Sequence, residues 1–162
     1  MSRAFVKESD GDAADDLPER AESGHPNYLT EQSFAELERR LEEALAERDR
    51  LSRASNEFAV RAPLARLSRD IRYLQRRIDD AIVMGKAEPG DEVAIGTSVT
   101  IDDGARQMTF TIVGEDQADP ASGLISWMSP LGRVLVGAKR GESVVWERPV
   151  GDITVTVVDV HA

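Results

Sequence analysis

A short segment near the middle of the chain carries side chains that could take part in chemistry. It lies between two leucine-rich stretches and contains one carboxylate, Glu57, among two arginines, a serine and an asparagine. A hard dication such as magnesium needs several clustered carboxylate oxygens, which a single glutamate does not supply. We therefore predict a segment that contacts a partner, holds no metal and performs no catalysis. Its candidate contact residues are Arg53, Ser55, Asn56, Glu57 and Arg61.

The other ionisable groups are poorly placed for a reactive centre. The two histidines, His25 and His161, lie in a polar segment and at the penultimate position, and cysteine is absent. No cofactor is expected, and a chain without cysteine suits a reducing cytoplasm. Several acids lie in turn contexts, where carboxylates ordinarily bond to nearby backbone amides; they are Asp102, Asp103, Glu115, Asp116 and Asp119.

Charge is distributed unevenly along the 162 residues. The net charge of -10 argues against affinity for bare nucleic acid, which normally requires a basic surface. Residues 1–25 contain seven acids against three bases, whereas residues 48–72 contain seven arginines against three acids. No apolar run of about 18 residues occurs, so neither a membrane span nor a membrane partner is expected. A cytoplasmic protein is predicted.

Two amphipathic helices are predicted to flank the central segment. Thr30, followed by an acid, is suited to the N-cap of the first helix. Pro63 is suited to a first helical position, which places the turn at about 56–62 and a second helix from there to about Val83, roughly 31 Å long. The apolar spacing of 3 and 4 is a heptad seam that favours helix pairing. Its positions are Leu37, Leu41 and Leu45, then Leu64, Leu67, Ile71, Leu74 and Ile78.

After Gly85 the apolar period changes to that of strands, with a hairpin turn signal at Asp102-Asp103-Gly104. Ser129 and Pro130 form the start signal of one short helix that would bury Leu131 and Leu135. The predicted fold class is α+β, an N-terminal antiparallel helical hairpin followed by an antiparallel sheet domain with one short helix. The expected organisation is an acidic tail at 1–28, the hairpin at 29–84, a linker at 85–92 and the sheet domain at 93–162.

The segment from Ser129 to Gly137 carries a more specific pattern. Together with Gly141-Glu142-Ser143-Val144 and Pro149-Val150-Gly151, it resembles the Ser-Pro, short helix, Gly-Asp-x-Val and Pro-x-Gly series of the GreA/GreB family of bacterial transcript-cleavage and elongation factors. The resemblance covers about residues 30–162. It implies an FKBP-like C-terminal domain that grips the rim of the RNA polymerase secondary channel while the coiled coil enters it. The polymerase-binding residues that it implies are Ser129, Pro130 and Leu131.

The central segment departs from the family pattern. Active members present acids from a Gly-Asp-x-Ser-Glu-Asn tip that hold the second catalytic magnesium and its water in the polymerase. Here Ser55-Asn56-Glu57 has no Asp two residues before it, and each arm is about one heptad, roughly 10 Å, shorter. The short hairpin also resembles Rnk-type relatives, which share the C-terminal domain and have a stunted coiled coil. This combination implies polymerase binding without cleavage.

Three functions stay open at this point. The favoured one is a non-catalytic regulator of transcription elongation at the RNA polymerase secondary channel, with indirect contact to nascent RNA as a further expectation. The alternatives are a weakly active cleavage factor that uses Glu57 and a coiled-coil adaptor unrelated to polymerase. The arginines of the hairpin fit either contact with RNA phosphates or an acidic channel lining, or simple shielding of the seam. They are Arg48, Arg50, Arg53, Arg61, Arg66, Arg69, Arg72, Arg76 and Arg77.

Overall fold

A computed structural model describes residues 17–54, 56–87 and 90–162 of the chain. The described chain divides into two compact units, one formed by residues up to 24 with 37–79 and the other by residues 25–36 with 80–162. The predicted acidic tail at 1–28 and linker at 85–92 lie partly outside the described residues. Their boundaries stay a prediction.

The first unit contains most of α1 (Glu31–Ser52) and all of α2 (Glu57–Asp79), which form a helical hairpin. The predicted start of α1 is confirmed, since Thr30 Oγ1 accepts a hydrogen bond from the Ser33 amide at 3.1 Å. Ile71 and Leu74 on the predicted seam are buried, at 3% and 4% exposure. Burial of these apolar side chains stabilises this unit.

The predicted bounds of the second helix were wrong at both ends. The helix begins at Glu57, six residues before Pro63, because the Asn56 side chain caps it by accepting a hydrogen bond from the Ala59 amide at 3.1 Å. Pro63 therefore lies inside the helix, where it removes one backbone donor. The helix ends at Asp79, and the next residues form a strand rather than a last helical turn.

The second unit contains a two-stranded parallel sheet and a five-stranded sheet. Strand β1 (Asn27–Thr30) pairs in parallel with β2 (Ala81–Met84). The larger sheet has the order β5-β4-β3-β7-β6. Its strands are β3 (Ser98–Asp102), β4 (Gln107–Val113), β5 (Leu124–Ser126), β6 (Ser143–Trp146) and β7 (Ile153–His161).

The α+β class and the order of elements are confirmed, with one difference in strand direction. Strands β4 and β5 run parallel, because a loop with two short 3-10 turns, Glu115–Gln117 and Pro120–Ser122, carries the chain back between them. The other pairs of the sheet are antiparallel. The short helix α3 (Pro130–Leu135) packs its Leu131 and Leu135 into the core of this unit.

Candidate functional site

The tip of the hairpin is formed by the end of α1 and the start of α2. Of the predicted contact residues, Arg53, Asn56, Glu57 and Arg61 are described and all four are exposed, while Ser55 lies outside the described residues. Asn56 uses its side-chain oxygen to cap α2. Glu57 is the first residue of that helix, a position where the helix dipole favours a carboxylate. The local structure therefore accounts for both Asn56 and Glu57 without a ligand.

The described residues bring no cluster of carboxylates to this tip. Across residues 17–54, 56–87 and 90–162, no three acidic or histidine side chains come together in a way that could hold a metal ion. Glu57 is the single acid between Ser52 and Leu67 in the sequence. Among the described residues of the tip, Glu57 offers a recruited magnesium one carboxylate, where several oxygen ligands are needed.

Phe58 is the residue at the tip that the sequence analysis missed. Its side chain is 92% exposed, although phenylalanine is normally among the most buried residue types. The signal in the sequence was weak, because a phenylalanine beside Ala59 and Val60 is also what a buried helix start would show. Its exposure places an apolar ring beside Glu57 at the end of the hairpin.

Arginines on the later part of α2 meet acids from the segment that precedes β1. Arg72 Nη2 lies 2.6 Å from Glu19 Oε1, and Arg76 Nη2 lies 3.0 Å from Glu19 Oε2. Arg76 Nε donates a hydrogen bond to Glu22 Oε1 at 2.7 Å. The Arg20 guanidinium lies 3.9 Å from the centre of the Tyr73 ring, a cation–π contact. These arginines are thus engaged within the chain.

The ion pairs change the titration of Glu19. Hydrogen bonds from Arg72 and then Arg76 hold the pKa of the Glu19 carboxyl below its usual range. A carboxyl whose pKa is lowered by folding stabilises the folded form above its ordinary pKa. That contribution is lost as pH falls through the lowered value. Protonation of Glu19 would therefore weaken its ion pairs with Arg72 and Arg76.

Some of the remaining hairpin arginines fit the interpretation that they shield the seam, and others are exposed where a partner could contact them. Arg39 bonds to Glu43 and Arg50 to Glu47 along α1, as solvated helix surfaces commonly do. Arg77 is only 5% exposed, which agrees with arginine shielding the seam. Arg53, Arg61 and Arg66 are exposed and lie toward the tip.

The second predicted site lies at the start of α3. Ser129 Oγ accepts a hydrogen bond from the Gly132 amide at 3.0 Å, so the predicted cap is present. Pro130 is exposed, whereas Leu131 is only 4% exposed and belongs to the core. A face that also includes Arg133 and Val136 is accessible on this helix. This accessible face could have been predicted from the sequence, because Arg133 and Val136 follow Pro130 at intervals of three.

Close packing fixes α3 against the strand before it. A Cβ added at Gly132 would lie 2.1 Å from the Ser126 carbonyl oxygen and 2.9 Å from Trp127 Cα. Only glycine allows the helix to approach the backbone this closely. The exposed face of α3 is therefore held on a rigid element.

None of the helices in the described residues combines the length and apolar character needed to cross a membrane. The described chain is a helical hairpin followed by a small sheet domain with one capped short helix. A family model described as "Transcription elongation factor, GreA/GreB, C-term" matches residues 88–162.

Several known proteins with sequences similar to this chain are transcription elongation factors GreA or GreB. The chain is 38% identical over 99 residues to transcription elongation factor GreB of Neisseria meningitidis serogroup B (strain ATCC BAA-335 / MC58), covering 59% of this chain and 60% of that protein. It is 33% identical over 156 residues to transcription elongation factor GreA of Roseiflexus sp. (strain RS-1), covering 86% of this chain and 99% of that protein. The chain belongs to the GreA/GreB family of transcription elongation factors.

Solved structures that align with this chain include GreA factor homolog 1 (Gfh1) of Thermus thermophilus. It is 20% identical, with a TM-score of 0.41, and the alignment covers 85% of this chain and 100% of that chain. A GreA/GreB elongation factor from Nitrosomonas europaea is 22% identical, with a TM-score of 0.42, covering 83% and 98% of the two chains.

Proposed function

We propose that this protein binds RNA polymerase at the rim of its secondary channel and regulates transcription elongation without stimulating transcript cleavage. Membership of the GreA/GreB family supports a role in elongation. The observation that carries the non-catalytic part is the hairpin tip, whose described residues present one carboxylate, Glu57, beside the exposed Phe58. Under this proposal the protein is not itself an enzyme, and it acts on RNA polymerase in the cytoplasm.

The proposed mechanism is steric. A hairpin that occupies the channel excludes any other factor that enters by the same route, and it narrows the path for incoming nucleotides. Because Glu57 alone cannot hold a magnesium ion, the occupied channel gains no hydrolytic centre. Exposed arginines toward the tip, Arg53 and Arg61, would meet acidic channel groups or lie near the nascent RNA.

The weakly active cleavage factor is the second candidate. It is favoured by one observation, the exposure of Glu57 at the start of α2. The adaptor alternative has less support, since Ile71 and Leu74 are buried within a single chain and so need no partner helix from another copy.

The proposed polymerase contact is the exposed face of α3, beginning with Ser129 and Pro130. Leu131 is better regarded as the core residue that anchors this helix, and a charge at that position would enter the apolar core. A binding test therefore needs an exposed position.

Pro130→Asp should weaken polymerase binding at least about thirtyfold. It puts a carboxylate into the proposed interface, where loss of an anchor often costs about 2 kcal/mol or more. An acid in the first helical turn is favourable, so the fold is retained. Affinity of the labelled protein for core RNA polymerase gives the measurement.

Val150→Asp is the matched control, since Val150 is 85% exposed in the same unit and the substitution adds the same charge. It should bind like the wild type. Unchanged affinity of folded Pro130→Asp would remove α3 from the interface.

A further inference from the structure

The segment 17–24 lies along α2 as an acidic strap. Glu19 lies between Arg72 and Arg76, and Glu22 pairs with Arg76. Between them Arg20 covers the Tyr73 ring and lies 3.7 Å from Asp70. The contacts alternate in charge, so strap and helix are complementary residue by residue.

The strap runs parallel to α2, in the same chain direction. Its end at Glu22 meets Arg76, while Leu17 lines a cleft with Val60 and Leu64, nearer the start of the helix. The helix from Leu64 to Arg76 spans roughly 18 Å, and an extended chain from Leu17 to Glu22 spans roughly 17 Å. An extended peptide therefore fits this face along its length.

We propose that this face of α2, formed by Arg72, Tyr73 and Arg76, is a docking surface for an extended acidic segment of a partner protein, and that the strap occupies it as an intramolecular competitor. The chemistry of the strap defines the partner. Two carboxylates reach the guanidinium groups, and an intervening cation covers the Tyr73 ring. An RNA strand offers anions but no cation for the ring, so an acidic peptide with an interspersed arginine fits better.

The contacts of the strap with α2 are weak enough for a partner to displace it. Arg72, Arg76 and Glu19 keep 49%, 40% and 47% of their side chains exposed, and ion pairs of such groups are weak and screened by salt. A segment tethered by a short linker competes at an effective concentration of about millimolar. It would thus exclude weak acidic segments and yield to a partner that makes additional contacts. The partner need not be RNA polymerase.

The test compares four full-length chains. They are the wild type, the release variant Glu19→Gln/Glu22→Gln, a control Glu38→Gln/Glu42→Gln that changes the same charge at exposed positions of α1, and the release variant carrying Arg72→Gln/Arg76→Gln. The probe is a fluorescein-labelled peptide with the sequence of residues 15–25, titrated at low salt and followed by anisotropy.

The release variant should bind this peptide at least tenfold more tightly than the wild type. In the wild type the strap covers the α2 face in most molecules, and the apparent affinity of a competing ligand is reduced in proportion to the fraction in which the face is open. The control should behave like the wild type, and Arg72→Gln/Arg76→Gln should abolish the gain. Trypsin gives an independent measure, since cleavage after Arg20 should be faster in the release variant than in the control.

Equal peptide affinity and equal cleavage in the release variant and the wild type would overturn the proposal. Tighter binding of a uridine oligonucleotide, without a gain for the peptide, would overturn the acidic protein partner in favour of RNA. Both readouts are independent of polymerase, so either failure would leave the proposed function intact.

Discussion

Replacing Gly132 with alanine should destabilise the sheet unit by about 3 kcal/mol or more, which corresponds to a fall in melting temperature of roughly 12 °C or more. The added Cβ would lie 2.1 Å from the Ser126 carbonyl oxygen, and the obstacle is backbone rather than a flexible side chain. Relief requires α3 to move away from the strand, which would uncover Leu131 and Leu135. Thermal unfolding followed by tryptophan fluorescence reports on this unit, because Trp127 and Trp146 both lie in it.

Gly85→Ala is the control for this substitution. A Cβ at Gly85 would meet nothing within 4 Å, so the same chemical change should leave the melting temperature nearly unchanged. A Gly132→Ala protein with the stability of the wild type would show that α3 does not pack on the preceding strand as described.

Leu74→Ala should cost about 2–5 kcal/mol of hairpin stability, since the Leu74 side chain is 4% exposed and its removal leaves a cavity in the seam. Helical circular dichroism during thermal unfolding gives the measurement, because α1 and α2 supply most of the helix in the described chain.

Phe58→Ala provides a matched comparison on the same helix. Phe58 is 92% exposed, and truncation there should change stability by no more than about 0.5 kcal/mol. Equal effects of the two substitutions would indicate separated helices rather than a packed hairpin.

Much of the second unit could be predicted from local pattern. Strand β3 alternates buried and half-buried residues, and the Asp102 and Asp103 side chains accept hydrogen bonds from turn amides as their types suggest. The start of α3 could equally be predicted from sequence, because the Ser129 cap is a local interaction. Such features depend on residues only two or three positions apart.

The start of α2 shows where a single strong signal misleads. Pro63 predicts a helix start, but Asn56 supplies a side-chain cap seven residues earlier, and the alanines between them favour helix. The loss of one backbone hydrogen bond at Pro63 did not outweigh these preferences. The Ile82 and Val83 segment was then misread as helix because apolar runs this short do not distinguish helix from strand.

Pairings between distant segments could not be inferred from one sequence. Strand β1 meets β2 across more than 50 residues, and Glu19 meets Arg72 across 53. Neither segment has a local pattern that identifies its partner, and the acids of the strap are of the kind found in any solvated tail. The face of α2 that the strap covers is therefore visible only in the structure.

Competition in transcript cleavage tests the non-catalytic regulator most directly. The protein is added in excess to a stalled, backtracked elongation complex, alone or with a cleavage-competent GreB, and the 3′ RNA fragment is followed by gel. The protein alone should stimulate no release, because Glu57 cannot supply the oxygen ligands of a recruited magnesium. It should also slow release by GreB, since both would occupy one channel. Robust release by the protein alone that disappears in Glu57→Ala would contradict the account and establish a cleavage factor instead.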